Sequence, residues 1–132
     1  DGPGTERELF WDKTVKATLV IAAEGRLVAT ASLQVRPEAS ECGWVRWVAT
    51  DLDWRRKGLA RALVIGVLAM ARQAECREAR LHTTTDRLAA IPLYLQLGFE
   101  PLVRSVSEYE MWERLIRLLS NRAGGRVTPP TD

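Results

Sequence analysis

A cationic turn between a strand-like and a helix-like segment is the part of the sequence best suited to bind a ligand. Its residues are, in order, Arg55, Arg56, Lys57, Gly58, Leu59, Ala60 and Arg61. Small residues let backbone amides approach an anion closely, and the first N–H groups of a helix have no acceptor within the helix. The turn therefore predicts a pocket for a phosphorylated ligand, with a pyrophosphate as its natural occupant.

The positive charge of this turn is unfavourable for the helix that follows it. Cations at a helix N-terminus oppose the helix macrodipole by up to about 1 kcal/mol. A solvated basic surface is the alternative interpretation of the four cationic side chains. We expect an anion instead, because a bound anion removes the conflict.

The hydrophobic pattern predicts the elements that position this turn. β-Branched and alternating segments predict strands at residues 18–23, 26–35, 44–50, 79–85 and 99–106. The pair Glu24-Gly25 predicts a hairpin between the first two strands. Helical spacing predicts helices at residues 57–73, 87–97 and 108–119. The fold class is therefore α/β (α+β), with a mixed, mostly antiparallel twisted sheet flanked by helices and a C-terminal helix.

Three residues in or next to these elements predict details of helix packing, bending and capping. Gly66 lies inside the first predicted helix, which indicates close packing of that helix on the sheet. Pro92 lies inside the second predicted helix and should bend it. Asp86 precedes the same helix and is expected to cap its start.

Size and composition predict one domain at residues 1–120, followed by a flexible Gly/Pro-rich tail at residues 121–132. The formal net charge of +2 is small, so we expect neither nucleic acid nor a membrane as a partner. Cys42, Cys76 and the single histidine lie far apart in sequence, which predicts no metal site and no disulfide. Reduced thiols suit a cytoplasmic protein. The first residue is Asp1 and not methionine, which indicates a fragment of a longer protein.

Two motifs, in this order along the chain, resemble the GNAT superfamily of acetyl-CoA-dependent N-acetyltransferases. Residues 55–60, Arg-Arg-Lys-Gly-Leu-Ala, look like the family's Gln/Arg-x-x-Gly-x-Gly/Ala motif. Residues 91–99, Ile-Pro-Leu-Tyr-Leu-Gln-Leu-Gly-Phe, look like its Leu-Tyr-x-x-x-Gly-Phe motif. The resemblance extends over residues 17–106 and is clearest at residues 44–103.

This resemblance implies transfer of the acetyl group of acetyl-CoA to a primary amine, by direct attack in a ternary complex. A non-catalytic acyl-CoA-binding module of the same fold is the alternative. A nucleic-acid-binding domain is a weaker one, because basic and aromatic residues do not alternate along a strand.

The family's functional residues are carried over by motif. The amides of residues 56–61 would bind the pyrophosphate, and the backbone of Val48 and Thr50 would pair with the pantetheine arm. An amide near Val48 or Ala49 would face the thioester oxygen. The hydroxyl of Tyr94 would protonate the departing thiolate. The alternative interpretation is that Tyr94 is a core aromatic residue of the helix. The predicted cofactor-binding residues are Val48, Ala49, Thr50, Arg55, Arg56, Lys57, Gly58, Leu59, Ala60 and Arg61.

The sequence departs from the family pattern in four places, of which Leu52 in place of a frequent proline is structurally minor. Arg87 replaces a frequent asparagine, and it either reaches a CoA phosphate or faces solvent. Little chain precedes Thr18, so the N-terminal region is short and a sheet edge is left exposed, which favours a homodimer. Where many members end in a strand, residues 108–119 look helical.

The amine must be neutral to attack, so the reaction needs a base. No single residue stands out for this role. The candidates are Glu41, Asp51, Asp53, His82, Asp86 and Glu108. We expect Asp51 and Asp53 to shape the turn instead.

Overall fold

The computed structural model describes residues 12–83 and 90–123. These residues fall into two compact units, whose boundary in the sequence lies between His82 and Thr83. Within the described residues, none of the helices is both long and apolar enough to cross a membrane.

The first unit is a four-stranded sheet with one long helix. Its strands are β1 (Val15–Ala23), β2 (Arg26–Val35), β3 (Cys42–Thr50) and β4 (Glu78–Leu81). They lie in the order β1-β2-β3-β4, with β1, β2 and β3 antiparallel and β4 parallel to β3. Helix α1 (Leu59–Gln73) connects β3 to β4, as a parallel pair of strands requires. The predicted mixed sheet with flanking helices is confirmed.

The predicted hairpin between β1 and β2 is also confirmed. Its two turn residues, Glu24 and Gly25, have φ values of 52° and 78°. Two positive φ values in a two-residue loop match the right-handed twist of the strands on either side. The turn thus sets the register in which Ala23 faces Arg26.

Helix α1 packs against the sheet through Leu63, Val64, Val67 and Ala71, which are all buried. Gly66 lies so close to β1 that a Cβ there would be 2.7 Å from Cδ1 of Leu19. The close packing predicted from Gly66 is therefore correct. The helix begins at residue 59 and not at residue 57, because Gly58 has a left-handed conformation with a φ of 77°.

The described residues of the second unit form two helices, α2 (Ile91–Gln96) and α3 (Val106–Ala123). Its buried core is formed by Ile91, Leu115 and Leu119, against which Leu95 and Trp112 pack. The predicted C-terminal helix is confirmed. Residues 84–89 and 124–132 lie outside the described residues, and so do the expectations for Asp86 and Arg87.

Two predictions for the second unit are wrong. The strand expected at residues 99–106 does not form, and residues 99–104 have no regular structure. Pro101 has no N–H to donate to a neighbouring strand. Pro92 does not bend α2, because it lies in the first turn of that helix, where a missing N–H leaves no bond unmade.

Helix α3 begins two residues earlier than predicted because of its cap. The N–H of Glu108 donates to the hydroxyl of Ser105 at 3.2 Å, and the Glu108 carboxylate accepts from the N–H of Arg104 at 2.8 Å. This arrangement resembles a capping box, and Ser105 and Glu108 have the spacing of one in the sequence.

Candidate functional site

A β-bulge interrupts strand β3 close to its end. Thr30 pairs with Ala49 and Ser32 with Arg46, so one residue of β2 lies opposite two residues of β3. Trp47, the first residue of the bulge, has a φ of 52°. A bulge bends its strand and increases the local twist. Strand β3 therefore changes direction at Trp47.

The second edge of β3 is open beyond this bulge. Pairing with β4 ends at Val45 and Leu81, and the described residues place no strand beside residues 46–50 on that side. The N–H of Asp51 donates to the carbonyl of Val28 in β2 at 2.8 Å. Because backbone groups alternate along an antiparallel strand, the amides of Val48 and Thr50 point to the open edge.

A short 3-10 turn at Leu52–Trp54 follows β3 and is fixed by Asp51. One carboxylate oxygen of Asp51 accepts from the N–H of Asp53 at 3.0 Å, and the other accepts from Nη1 of Arg26 at 2.8 Å. The bond from Asp53 is the main cause that lowers the pKa of Asp51, and Arg26 adds to it. The expectation for this turn is confirmed for the Asp51 carboxylate, and Asp53 contributes its backbone N–H.

The cationic turn then presents a row of backbone N–H groups. Among the described residues, no backbone carbonyl accepts a hydrogen bond from the N–H groups of residues 56–61. The first carbonyl used in α1 is that of Gly58, which accepts from the N–H of Ala62 at 3.1 Å. Such a row of donors at a helix start is the usual setting for an anion.

Along this turn, residues with a left-handed backbone conformation alternate with residues that lack it. Arg56 and Gly58 have positive φ values of 63° and 77°, whereas Lys57 between them does not. Successive amides in alternating conformations form the concave nests that bind anions in many proteins. Apart from its chain neighbours, no described residue has an atom within 4 Å of the position that a Cβ on Gly58 would take. The space in front of Gly58 is therefore open.

The side chains of the turn are arranged as a basic surface. Arg55, Arg56, Lys57 and Arg61 are exposed, and Nζ of Lys57 lies 5.8 Å from the centre of the Trp54 ring. Leu59 and Ala60 are half-buried. The first unit thus brings together the whole predicted cofactor-binding set from residue 48 to residue 61.

Tyr94 lies in the second unit, in helix α2. Its half-buried ring is 6.1 Å from that of Phe99, at an interplanar angle of 76°. The carbonyl of Tyr94 accepts from the N–H of Phe99 at 3.0 Å, which closes the helix end of the second motif. Tyr94 and Phe99 of the motif are thus placed together by local structure.

The candidate bases have different surroundings. Glu108 caps α3, and its carboxylate lies 3.5 Å from Nη2 of Arg104. Asp51 is held in the turn, while Glu41, Asp53 and His82 are exposed. None of these positions singles out one residue as the base.

One group of interacting residues near β3 was not predicted from the sequence. Arg46, Gln34, Thr14 and Asp12 form a polar network across the sheet, and the Arg46 guanidinium lies 4.6 Å from the centre of the Trp47 ring. The signal for this network in the sequence was the presence of two polar residues, Gln34 and Arg46, within predicted strands. Their contact depends on strand register, which the sequence does not display.

The model of the Acetyltransferase (GNAT) family matches residues 2–99 of this chain. The chain belongs to the GNAT acetyltransferase family. It is similar to N-acetyltransferase 8 of Homo sapiens, with 40% identity over 68 residues, which cover 52% of this chain and 29% of that protein. It is also similar to aminoglycoside N(6')-acetyltransferase type 1 of Stenotrophomonas maltophilia, with 30% identity over 94 residues, which cover 67% of this chain and 61% of that protein.

This GNAT chain therefore spans less than two thirds of these relatives' own lengths. Among solved structures, it resembles the aminoglycoside N-acetyltransferase AAC(6')-Iy in complex with CoA, with a TM-score of 0.64, 19% identity and coverage of 78% of this chain and 81% of that one. The ribosomal-protein-S18-alanine N-acetyltransferase of Escherichia coli gives a TM-score of 0.60 at 25% identity, with coverage of 69% and 56%. These likenesses agree with the GNAT fold.

Proposed function

We propose that this GNAT protein transfers the acetyl group of acetyl-CoA to a primary amine by direct attack in a ternary complex. The observation that carries the proposal is the row of N–H groups at residues 56–61 without backbone acceptors, beside the open edge of β3. Family membership and the named N-acetyltransferases among its relatives support the same reaction.

The pyrophosphate of CoA is the group that the turn would hold. The backbone amides of residues 56–61 supply the donors, and the open space at Gly58 admits a phosphate close to the chain. Exposed Arg55, Arg56, Lys57 and Arg61 supply positive charge around it. The residues present therefore fit this part of CoA.

The pantetheine arm would pair with the open edge of β3 like an additional strand. Val48 and Thr50 point their amides to that edge, whereas Ala49 alternates toward β2. We therefore assign the amide that faces the thioester oxygen to Val48. A donor placed at a developing oxyanion contributes about 3 kcal/mol in other acyl-transfer enzymes.

In the reaction, the neutral amine attacks the thioester carbon, the C–S bond breaks, the nitrogen of the new amide releases one proton to water, and the CoA thiolate takes up one proton. We assign that proton to the hydroxyl of Tyr94, because Tyr94 occupies the matching position of the second motif. A phenol is a suitable acid for a thiolate when the two lie within hydrogen-bond reach.

Two further expectations belong to this proposal. We propose that the protein works in the cytoplasm with its thiols reduced; Cys42 and Cys76 are both free cysteines. We also propose that β1 pairs with a second copy of the chain, because among the described residues it has a neighbour on one edge only, β2.

Calorimetric titration with CoA, followed by measurement of acetyl-CoA consumption over a panel of amines, tests the proposed function. Binding together with turnover supports an acetyltransferase. Tight binding with turnover at background would leave only the acyl-CoA-binding module. Absence of CoA binding would overturn both interpretations.

A further inference from the structure

The sheet face opposite α1 carries a charged cluster that the proposed function does not use. We call it the Arg46 cluster, and its members are Asp12, Thr14, Gln34, Arg36, Trp44, Arg46 and Trp47. Strand register places Gln34 opposite Trp44 and Ser32 opposite Arg46. The alternate residues Leu33 and Val45 are buried on the α1 side, where Leu33 lies near Ala71. The Arg46 cluster thus belongs to the other face.

Arg46 is held in a defined orientation. Its Nη1 donates to Oε1 of Gln34 at 3.0 Å, and its guanidinium stacks over the Trp47 ring. Gln34 is 6% exposed, and its Nε2 donates to the hydroxyl of Thr14 at 2.8 Å. A buried glutamine with fixed partners aligns the guanidinium. Among the described residues it is the one acceptor bonded to Arg46, so most of the five N–H donors are left for another acceptor.

The positive charge of the cluster exceeds its negative charge. Arg36 lies over the Trp44 ring, with its guanidinium carbon 5.1 Å from the ring centre, so two guanidiniums face one carboxylate. That carboxylate, Asp12, accepts hydrogen bonds from Thr14 and Gln34 and not from either arginine. Within the described part of the chain, neither Arg36 nor Arg46 has a carboxylate oxygen within 4.0 Å. An anionic group on a ligand would complete the cluster.

Arg46 is also close in the chain to Val48, whose amide the proposed function assigns to the thioester oxygen. It precedes Val48 by two residues, and because the bulge at Trp47 lies between them their Cα atoms are at most about 7 Å apart. An arginine side chain spans such a distance. An acceptor with its amine at the thioester would therefore bring a neighbouring substituent to Arg46.

From these contacts we infer that the acceptor is an amine that carries an oxyanion, a carboxylate or a phosphate, and that Arg46 binds this group with Arg36 adding to the local charge. The inference rests on the proposed function. Planar guanidiniums bind both kinds of oxyanion through paired hydrogen bonds. The same charge disfavours polycationic amines and promotes loss of the ammonium proton before attack.

Matched acceptors test this inference. We would compare kcat/KM for phenylalanine with that for phenylalanine amide, and for phosphoethanolamine with that for ethanolamine; neamine serves as a polycationic acceptor. For the oxyanion that the site prefers, kcat/KM of the anionic acceptor should exceed kcat/KM of its neutral counterpart by about tenfold or more. The two pairs distinguish carboxylate from phosphate.

Arg46→Gln should reduce the ratio of kcat/KM for the anionic acceptor to kcat/KM for its neutral counterpart to near one, while kcat/KM for the neutral acceptor changes little. Arg46→Lys, which keeps the charge, should retain part of the preference. Arg80→Gln is the matched control, because Arg80 is an exposed arginine of β4 paired with Glu78. Thermal unfolding and CoA affinity, measured for each variant, show whether the fold and the cofactor site are intact. A wild-type ratio near one for both pairs, or a ratio unchanged in Arg46→Gln, would overturn the inference.

A binding measurement separates this inference from failure of the proposed function. N-acetylphenylalanine and its amide would be titrated against the protein, with tryptophan fluorescence as the readout because Trp47 lies under Arg46. Tighter binding of the acid, lost in Arg46→Gln and kept in Arg80→Gln, supports the anion site even if acetyl-CoA is not consumed. Equal affinity for both compounds, with or without turnover, would contradict it.

Discussion

Gly25 and Gly58 have nearly the same positive φ, 78° and 77°, and among the described residues beyond their chain neighbours neither has an atom within 4 Å of the position of a Cβ. Gly25 turns the hairpin between β1 and β2, whereas Gly58 begins helix α1 next to the unpaired amides. A side chain at either position therefore meets the strain of a positive φ, and no clash with the described residues beyond the chain neighbours. The pair therefore separates the effect of strain on folding from an effect on the ligand.

We predict that Gly58→Val and Gly25→Val lower the free energy of unfolding by similar amounts, about 1 to 3 kcal/mol each, because valine is strained at positive φ. Only Gly58→Val should abolish CoA binding, because the amides of the turn are displaced and their open space is filled. Denaturant unfolding and calorimetric titration with CoA measure the two effects. Retained CoA affinity in a folded Gly58→Val protein would refute the proposed pyrophosphate site.

Tyr94→Phe should slow turnover and leave the affinity for CoA almost unchanged. Loss of a general acid lowers the rate by about a hundredfold or more. Tyr109→Phe is the matched control, because Tyr109 is also a half-buried tyrosine of the second unit. Steady-state kinetics on the best acceptor measures both variants. Equal rates for Tyr94→Phe and the wild type would remove Tyr94 from the chemistry.

The contact between Gly66 and Leu19 predicts a coupling energy. Replacement of glycine by alanine inside a helix stabilises it by about 1 kcal/mol, but a Cβ at residue 66 would overlap Cδ1 of Leu19. Gly66→Ala should therefore be more favourable in a Leu19→Ala background than in the wild type, by about 1 kcal/mol. A double-mutant cycle of unfolding free energies measures this difference. Additive effects of the two substitutions would show that α1 does not press on Leu19.

The hydrogen bonds of ionised Asp51 predict that the folded protein loses stability in acid. Hydrogen bonds from Asp53 and Arg26 lower the pKa of Asp51 in the folded protein below its ordinary value. The stability that ionised Asp51 contributes is present above the ordinary pKa of about 4 and is lost as the pH falls through the lowered value. Asp51→Ala should therefore be less stable than the wild type at neutral pH, and the difference should shrink below about pH 4.

Unfolding measured across this pH range is the test, with Asp53→Ala as the control because Asp53 contributes its backbone N–H to the bond and not its side chain. A stability difference between Asp51→Ala and the wild type that stays constant down to strongly acidic pH would contradict the assignment.

The two cysteines should react at different rates. Cys42 is buried in β3, and burial raises the pKa of its thiol, whereas Cys76 is half-buried. Because the thiolate is the reactive form, iodoacetamide should modify Cys76 before Cys42. Peptide mass spectrometry of samples taken over time measures the order, and the denatured protein should lose it. Faster modification of Cys42 in the folded protein would contradict its buried position.

Features set by neighbouring residues were predictable from the sequence. The Glu24-Gly25 hairpin, helix α1 and helix α3 follow from turn chemistry and hydrophobic spacing, both of which act over a few residues. The errors at residues 99–106 have local causes as well. Pro101 and the Ser105–Glu108 cap, both visible in the sequence, outweigh the apolar residues of this segment.

Strand register explains what could not be predicted. The bulge at Trp47 exists because Ala49 pairs with Thr30 while Arg46 pairs with Ser32, and the sequence of β3 alone contains no signal for that shift. The contact between Arg46 and Gln34 joins residues that are 12 positions apart and depends on the same register.

The sequence by itself determined the family, the order of most elements and the cationic turn at residues 55–61, because motifs, turns and helix starts are local properties. Only the tertiary structure decided which amides of β3 point to the edge that β4 leaves open. It also decided that Arg46 lies over Trp47 with no carboxylate oxygen of the described residues within 4.0 Å. Those features arise from pairing between distant segments, which a single chain of letters does not display.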